Sequence, residues 1–386
     1  MSFYPSILVV MDSLFTGGAE YSTLLWIEWL QQKGYKVQLV LLKPKTPSYN
    51  IADFNIDPDS VILLQTEGAW NRYRELKRIL NSFRPDLVHS VLNASNFNTR
   101  VLRLLQGGFK HLESVVNQPY SRERLQDQSL STIKIRLLQW FDRLTQKRGV
   151  QHFHANSRAV AAHYQQAVHV PAAKITVIPR GRESNPFLPE RRLYNQQYKA
   201  ALQIPDNHLL LINTGRHEYQ KAHDVLLTAL SLLQSKVPFT LLIAGREGKE
   251  TQTLKQLIEQ LQLQDRVRLL GHRTDIPQLL AASDLFVFPS RYEGMPGALI
   301  EACAAGLPVV CTNLPCMTEV VQANGNALLF PLNDAEALAQ QLEQLLSNSE
   351  LRSKMGVESL TIFQQNFTLE SIHLQMEALI QQMAFK

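Results

Sequence analysis

Thirteen short apolar runs punctuate the chain, separated by longer stretches of mixed polarity. The first half carries SILVVM, KVQLVLL, VILLQ, DLVHSV, HLESVV, HFHANS and ITVIP. The second carries LLLINTG, FTLLIAG, VRLLG, LFVFPS, LPVVCT and ALLF. Most of these runs are apolar along their length, as expected of strands covered on both faces. The intervening stretches, such as 21–33 and 249–263, have helical length and polarity. Buried strands alternating with helices predict an α/β chain with parallel sheets wound on both faces.

The alternation restarts near residue 208. Residues 183–207 hold three prolines, many polar groups and no strand-like run, so they read as a linker. The division predicts two Rossmann-like domains, 1–185 and 186–369, facing a central cleft. The last segment, 370–386, has an amphipathic helical pattern that suits a cap on either domain. Ligands of open α/β sheets bind at the carboxyl ends of the strands, which places the expected site in the cleft.

The chain has 386 residues, enough for two cores. Its net charge of +5 is uneven: residues 1–190 carry 23 Lys and Arg against 15 Asp and Glu, and residues 191–386 carry 16 against 19. That asymmetry suits halves that face different partners, although a drift of surface charge gives the same counts. The three cysteines, Cys303, Cys311 and Cys316, match no zinc spacing and read as small apolar residues in a reducing compartment. The first residues read as a strand and not as a signal peptide, and no apolar run is long enough to span a membrane.

Three stretches can carry chemistry. In TGGAE (16–20), Gly17 and Gly18 let the backbone approach a ligand, and the free N–H groups of a helix start favour an anion. A tight turn without a ligand fits the same residues. The stretch is not G-x-G-x-x-G, and the next run ends in lysines where a dinucleotide site wants an acid, which weakens a nicotinamide reading. In NTGRHEYQKAHD (213–224), Arg216 and Lys221 stand at a helix start, where the macrodipole disfavours cations. A bound diphosphate resolves that conflict; two solvated cations are the plain alternative.

The third stretch is SRYEGMPGALIEACAAGLPVVCT (290–312). Glu293 lies at a strand exit in a turn with Gly294, Met295, Pro296 and Gly297, and Glu301 lies just over one turn into the next helix. Carboxylates suit vicinal sugar hydroxyls, because each accepts several hydrogen bonds. Backbone N–H groups near 295–298 suit a phosphate. One ligand held at both ends, ribose and hexose with a diphosphate between, fits this spacing. A glycosidase-like acid/base pair is the other reading.

In order along the chain, GGAE, VIPRG, GR…K, AASDLFVFPSRYEG and the E-x7-E pair resemble the retaining glycosyltransferases of family 4, which have the GT-B fold. The resemblance covers essentially the whole chain. It implies that Gly17 and Gly18 line the cleft near the transferred sugar. Arg216 and Lys221 would clamp the diphosphate, Glu301 would bind the ribose, Glu293 the donor sugar, and Arg273 would border the base. It implies a nucleotide-sugar donor as co-substrate, a UDP-sugar before GDP-mannose, with no further cofactor and no metal. It also implies a C-terminal helix that returns to the first domain.

The chain departs from the family at Lys221-Ala222, where Lys-Gly is usual, and at Arg180-Gly181, where Asn-Gly is usual. Asn117 stands where many relatives carry a histidine or arginine, which leaves the general base unassigned. His89, near another cleft edge, also reads as structural. The leaving diphosphate can itself take the acceptor proton, so cations alone suffice to stabilise the developing charge.

The acceptor side of this fold is the basic half. Segment 120–148 mixes seven Lys and Arg with Ile133, Leu137, Trp140, Phe141 and Leu144 at helical spacing. Such a helix can lie on an anionic membrane or pack on the sheet. The expected acceptor is lipid-linked or a cell-envelope polysaccharide, met in the cytoplasm or peripherally at the inner face of the plasma membrane; nucleic acid is not an expected partner. A non-catalytic nucleotide-sugar-binding subunit and a GT-B epimerase are the rival functions.

Overall fold

The computed structural model describes residues 4–14, 17–43, 50–66, 68–127 and 131–385. Thr16 of the first glycine stretch and residues 128–130 of the basic segment lie outside that set. The chain packs as two compact units. One is Met1–Ser121 with Leu130–Gly181 and Glu370–Lys386; the other is Arg122–Ser129 with Arg182–Leu369.

All thirteen apolar runs are strands, and every pairing is parallel. The first unit holds β1 (Ile7–Met11), β2 (Val37–Leu41), β3 (Val61–Leu63), β4 (Leu87–Val91), β5 (Lys110–Val115), β6 (His152–Ala155) and β7 (Ile175–Val177), in the order β3-β2-β1-β4-β5-β6-β7. The second holds β8 (Leu209–Thr214), β9 (Phe239–Ala244), β10 (Val267–Gly271), β11 (Leu285–Phe288), β12 (Val309–Thr312) and β13 (Ala327–Phe330), in the order β10-β9-β8-β11-β12-β13. The α/β class is therefore as expected. Each sheet reverses its winding once, between β1 and β4 and between β8 and β11. Such a switch point splays two loops apart and leaves room for a ligand.

The first unit threads polar residues through its core. His89 Nε2 lies 2.7 Å from Ser114 Oγ, Ser114 Oγ 2.8 Å from His154 Nδ1, and His154 Nε2 2.9 Å from the Ile178 carbonyl. The carbonyl can only accept, so His154 donates to it through Nε2, and its Nδ1 accepts a hydrogen bond from the Ser114 hydroxyl. Ser114 in turn accepts from His89 Nε2. His89 thus belongs to a buried ladder across β4, β5 and β6. Its burial holds its pKa down at about 3. Asn117 is exposed. The final helix, Leu369–Phe385, packs in this unit: the rings of Trp26 and Trp29 lie 5.3 and 5.5 Å from His373, and Tyr35 donates to Glu377 at 2.6 Å.

Two segments differ from expectation. Residues 183–207 are not a plain linker, because Arg191–Ala201 is a helix. Its polar side chains reach across to another element: Arg191 donates to the Ser283 carbonyl and Asn195 to the Ala282 carbonyl, each at 2.7 Å. The basic segment divides into a short helix, Arg122–Leu125, counted with the second unit, and Thr132–Gly149 in the first. The longer helix does not pack on the sheet by its apolar residues. Ile133, Leu137, Trp140, Phe141 and Leu144 are exposed, and the buried positions are Gln146 and Gly149. The inward side is polar because it meets Arg100, which pairs with Glu113 and Asp142.

Candidate functional site

The β8 and β11 loops meet at the switch point of the second sheet, and both carry the charges singled out by sequence. Lys221 ends a 3-10 turn, Tyr219–Lys221, and the helix His223–Leu232 follows. Glu293 follows β11. Lys221 Nζ lies 2.5 Å from Glu293 Oε1, with side chains 16% and 11% exposed. The same ammonium stands 5.0 Å from the centroid of the Phe288 ring, at the end of β11. The loops hold a cation and a carboxylate in contact at the switch point.

Glycines permit this closeness. A β-carbon on Gly215 would meet Lys221 Cδ at 3.0 Å, and one on Gly245 would overlap the Gly215 carbonyl. Ala222 has φ 49°, a left-handed conformation. The glycine usual in the family meets that need without strain; here the alanine methyl is buried in the core of the second unit.

Arg291, which the sequence reading passed over, staples the two loops. Its Nη1 donates to the Tyr219 carbonyl at 2.7 Å, Nη2 to Asp224 at 2.6 Å and Nε to Asn333 at 2.9 Å, and its guanidinium lies 4.2 Å from the Tyr219 ring centroid. Its backbone N–H donates to the Gln220 carbonyl at 2.8 Å, and Gln220 Nε2 donates to the Tyr292 carbonyl at 2.8 Å. Tyr292 OH lies 3.1 Å from Asp127, and burial followed by the Asp127 charge raises its pKa above the ordinary tyrosine range. His223 is fixed by Asn213 at 2.8 Å; burial holds it neutral, with a pKa of about 3.

Pro296 precedes the helix Gly297–Ala304 as its N-cap. Gly294, Met295, Pro296 and Gly297 are buried. Glu301 is engaged by Arg182, a residue sequence reading had not assigned: Arg182 Nε donates to Glu301 Oε1 at 2.6 Å. Arg182 is itself anchored by its backbone, which donates to the Phe367 carbonyl and accepts from the Leu369 N–H, each at 2.9 Å.

The other expected residues are placed as follows. Arg216 is exposed on the β8 loop. Arg273 is half-exposed and donates to Asp275 through two hydrogen bonds of 2.8 and 2.5 Å, and Tyr198 donates to the same carboxylate at 2.5 Å. The hydrogen bond to Asp275 raises the Arg273 pKa above its ordinary value. Gly17 and Gly18 open the helix Gly18–Gln32 in the other unit, where the Glu20 carboxylate fills the space a β-carbon on Gly17 would need. Among the described residues no group of three His, Cys, Asp or Glu gathers to hold a metal. One Asp-x-Asp occurs, Asp57-Pro58-Asp59, and Asp57 caps a turn there by accepting from Asp59 N–H at 3.0 Å.

Two family models match in tandem, Glycosyltransferase Family 4 over residues 16–185 and Glycosyl transferases group 1 over residues 195–359. The N-acetyl-alpha-D-glucosaminyl L-malate synthase of Bacillus anthracis is 30% identical over 196 residues, 50% of this chain and 51% of that protein. The UDP-Gal:alpha-D-GlcNAc-diphosphoundecaprenol alpha-1,3-galactosyltransferase of Escherichia coli is 30% identical over 187 residues, 48% of each. The matched stretches thus span about half the length of these relatives. The crystal structure of Anabaena Alr3699/HepE in complex with UDP-glucose superposes over 98% of this chain and 100% of that one, with a TM-score of 0.84 and 20% identity.

Proposed function

The chain belongs to the family 4 glycosyltransferases, of GT-B type, and from that premise we propose that it moves a hexose or N-acetylhexosamine from a nucleotide diphosphate sugar to a lipid-linked or polysaccharide acceptor of the cell envelope. A UDP-sugar is the first choice of donor, in keeping with the UDP-glucose bound to the Anabaena protein of like fold. The undecaprenol-linked substrate in the name of the E. coli relative supports a lipid-linked acceptor.

The observation that carries this reading is the Lys221–Glu293 contact at the switch point. A diphosphate competes with Glu293 for the ammonium, and sugar hydroxyls compete with Lys221 for the carboxylate. Donor binding therefore exchanges one internal ion pair for two ligand contacts. Lys221, with Arg216 on the same loop, then neutralises charge that builds on the leaving diphosphate. The bond from the anomeric carbon to the phosphate oxygen breaks with its electrons going to the oxygen. The acceptor oxygen bonds the same carbon from the same face, and its proton passes to the departing phosphate, which gives retention without a protein base or a metal. Glu301 takes the ribose, oriented by Arg182.

Among the described residues no helix is long and apolar enough to cross a membrane. The reaction is proposed to run at the cytoplasmic face of the plasma membrane.

A thermal-shift screen over nucleotide sugars, followed by turnover with and without acceptor, tests the function. The expected result is a rise in Tm with a UDP-sugar and donor consumption that depends on acceptor and survives chelator. Ligand-induced stabilisation without turnover points to a binding subunit, and donor conversion without acceptor points to an epimerase.

A further inference from the structure

The helix Thr132–Gly149 is turned polar side in. Ile133, Leu137, Trp140 and Leu144, spaced at i, i+4, i+7 and i+11, form one outward stripe and are 53–73% exposed. The opposite face carries Gln139, Asp142 and Gln146, with Ile135 half-buried beside them. Asp142 is fastened to Arg100 at 2.7 Å and to Tyr120, and Gln139 donates to the Ala167 carbonyl at 2.9 Å. These bonds keep the helix from rolling its apolar stripe inward.

Cations border the stripe on both sides, Arg136, Arg143 and Lys147 on one and Lys134 and Arg148 on the other. The helix has a single acid, Asp142, and it faces inward. A second copy laid along the stripe would bring these cations against their own kind. The complement is a surface that accepts a tryptophan and aliphatic side chains at shallow depth and is anionic on both sides of them. A bilayer rich in acidic headgroups has that form.

We propose that the outer face of this helix docks the protein on an anionic membrane, with Trp140 and Leu137 entering the interfacial layer and the flanking cations contacting headgroups. The docking needs no donor, acceptor or turnover, so it stands or falls apart from the transfer reaction.

Vesicle co-sedimentation of the full chain tests it, with phosphatidylglycerol-containing and pure phosphatidylcholine vesicles at low and high salt. Binding is expected only to the anionic vesicles, weakening with salt, with a blue shift of tryptophan emission that Trp140→Phe abolishes. Replacing Lys134, Arg136, Lys147 and Arg148 by glutamine should lower partitioning by about a thousandfold, and Leu137→Gln should lower it with all charges intact. These positions are exposed, and an unchanged unfolding midpoint confirms that each variant folds. Equal binding to both vesicle types, no binding to either, or a dimer in solution that the Leu137 variant dissolves would each overturn the proposal.

Discussion

The guanidinium of Arg182 occupies the space that a β-carbon on Gly297 would need, and from there it donates to Glu301 at 2.6 Å. Glycine at the helix start thus makes room for the cation that orients the carboxylate.

Gly297→Ala should push the guanidinium aside. The displaced atoms end a flexible side chain, so the cost in stability is small, about 1 kcal/mol or less. Glu301 loses its orienting partner, and the donor KM should rise about tenfold while kcat changes little. Steady-state kinetics beside a melting curve check this. An unchanged KM would show that Glu301 needs no such orientation.

Lys221 and Glu293 should be coupled in the free protein and uncoupled by donor. Removing either alone takes the ion-pair partner from a mostly buried charge, and each alanine variant should lose about 2–3 kcal/mol of stability, with the double variant losing less than the sum. Saturating UDP should shrink that coupling, because the diphosphate replaces Glu293 as partner of the ammonium. Lys221→Ala should also lower kcat by about a hundredfold or more, the scale seen when one group stabilising developing negative charge is removed. A double-mutant cycle by chemical denaturation, with and without UDP, measures the coupling.

The strands were legible because parallel strands covered on both faces leave continuous apolar runs, and ILVVM or LFVF need no partner to be recognised. Lys221 and Glu293 stood out for a related reason: a charge in a glycine-rich turn at a strand exit is conspicuous against apolar neighbours. Arg182 was not legible, since its partner Glu301 lies 119 residues away and no local pattern ties them. Arg291 was not legible either, since its partners Tyr219, Asp224 and Asn333 lie 72, 67 and 42 residues away. For 132–149 the periodicity revealed an apolar stripe but not its direction. Direction depends on Arg100, which demands polar company from a helix that would otherwise bury its leucines.

Acid should destabilise the first unit before its carboxylates titrate. Burial, the leading cause in each case, holds His89 and His111 at about 3 and His154 at about 4, against an ordinary value of 6.5. Between those limits the unfolded chain binds protons that the folded chain refuses, so stability rises with pH there. Above pH 6.5 the effect vanishes. Below it, each histidine contributes a loss of about 1.4 kcal/mol per pH unit. The unfolding midpoint should be flat from about pH 7 to 8 and fall steeply between about 6 and 5. A midpoint that stays level through that lower window would mean that these histidines are charged or solvated in the folded state.

Arg100 supplies the strictest test of the inward polar face. It is buried, with Nε 2.6 Å from Glu113 Oε2 and Nη1 2.7 Å from Asp142 Oδ1. Burial opposes its charge, but Glu113 and Asp142 more than offset that, and its pKa lies above the ordinary arginine range. Arg100→Ala strands the Glu113 carboxylate in the core and should cost about 3–5 kcal/mol. Arg100→Met with Glu113→Gln restores volume and removes both charges, so most of that loss should return. Asp142 is then the one charge left on the buried face, partnered by the Tyr120 hydroxyl. Adding Asp142→Leu to that pair removes the last charge from the inward side, leaving Gln139 and Gln146 as its polar side chains, and with it the charge cluster that holds the helix in its present orientation. The triple variant should then bury its stripe more often, seen as protection of Trp140 from an aqueous quencher. Unchanged quenching in a stable triple variant would show that something other than this charge cluster holds the apolar side out.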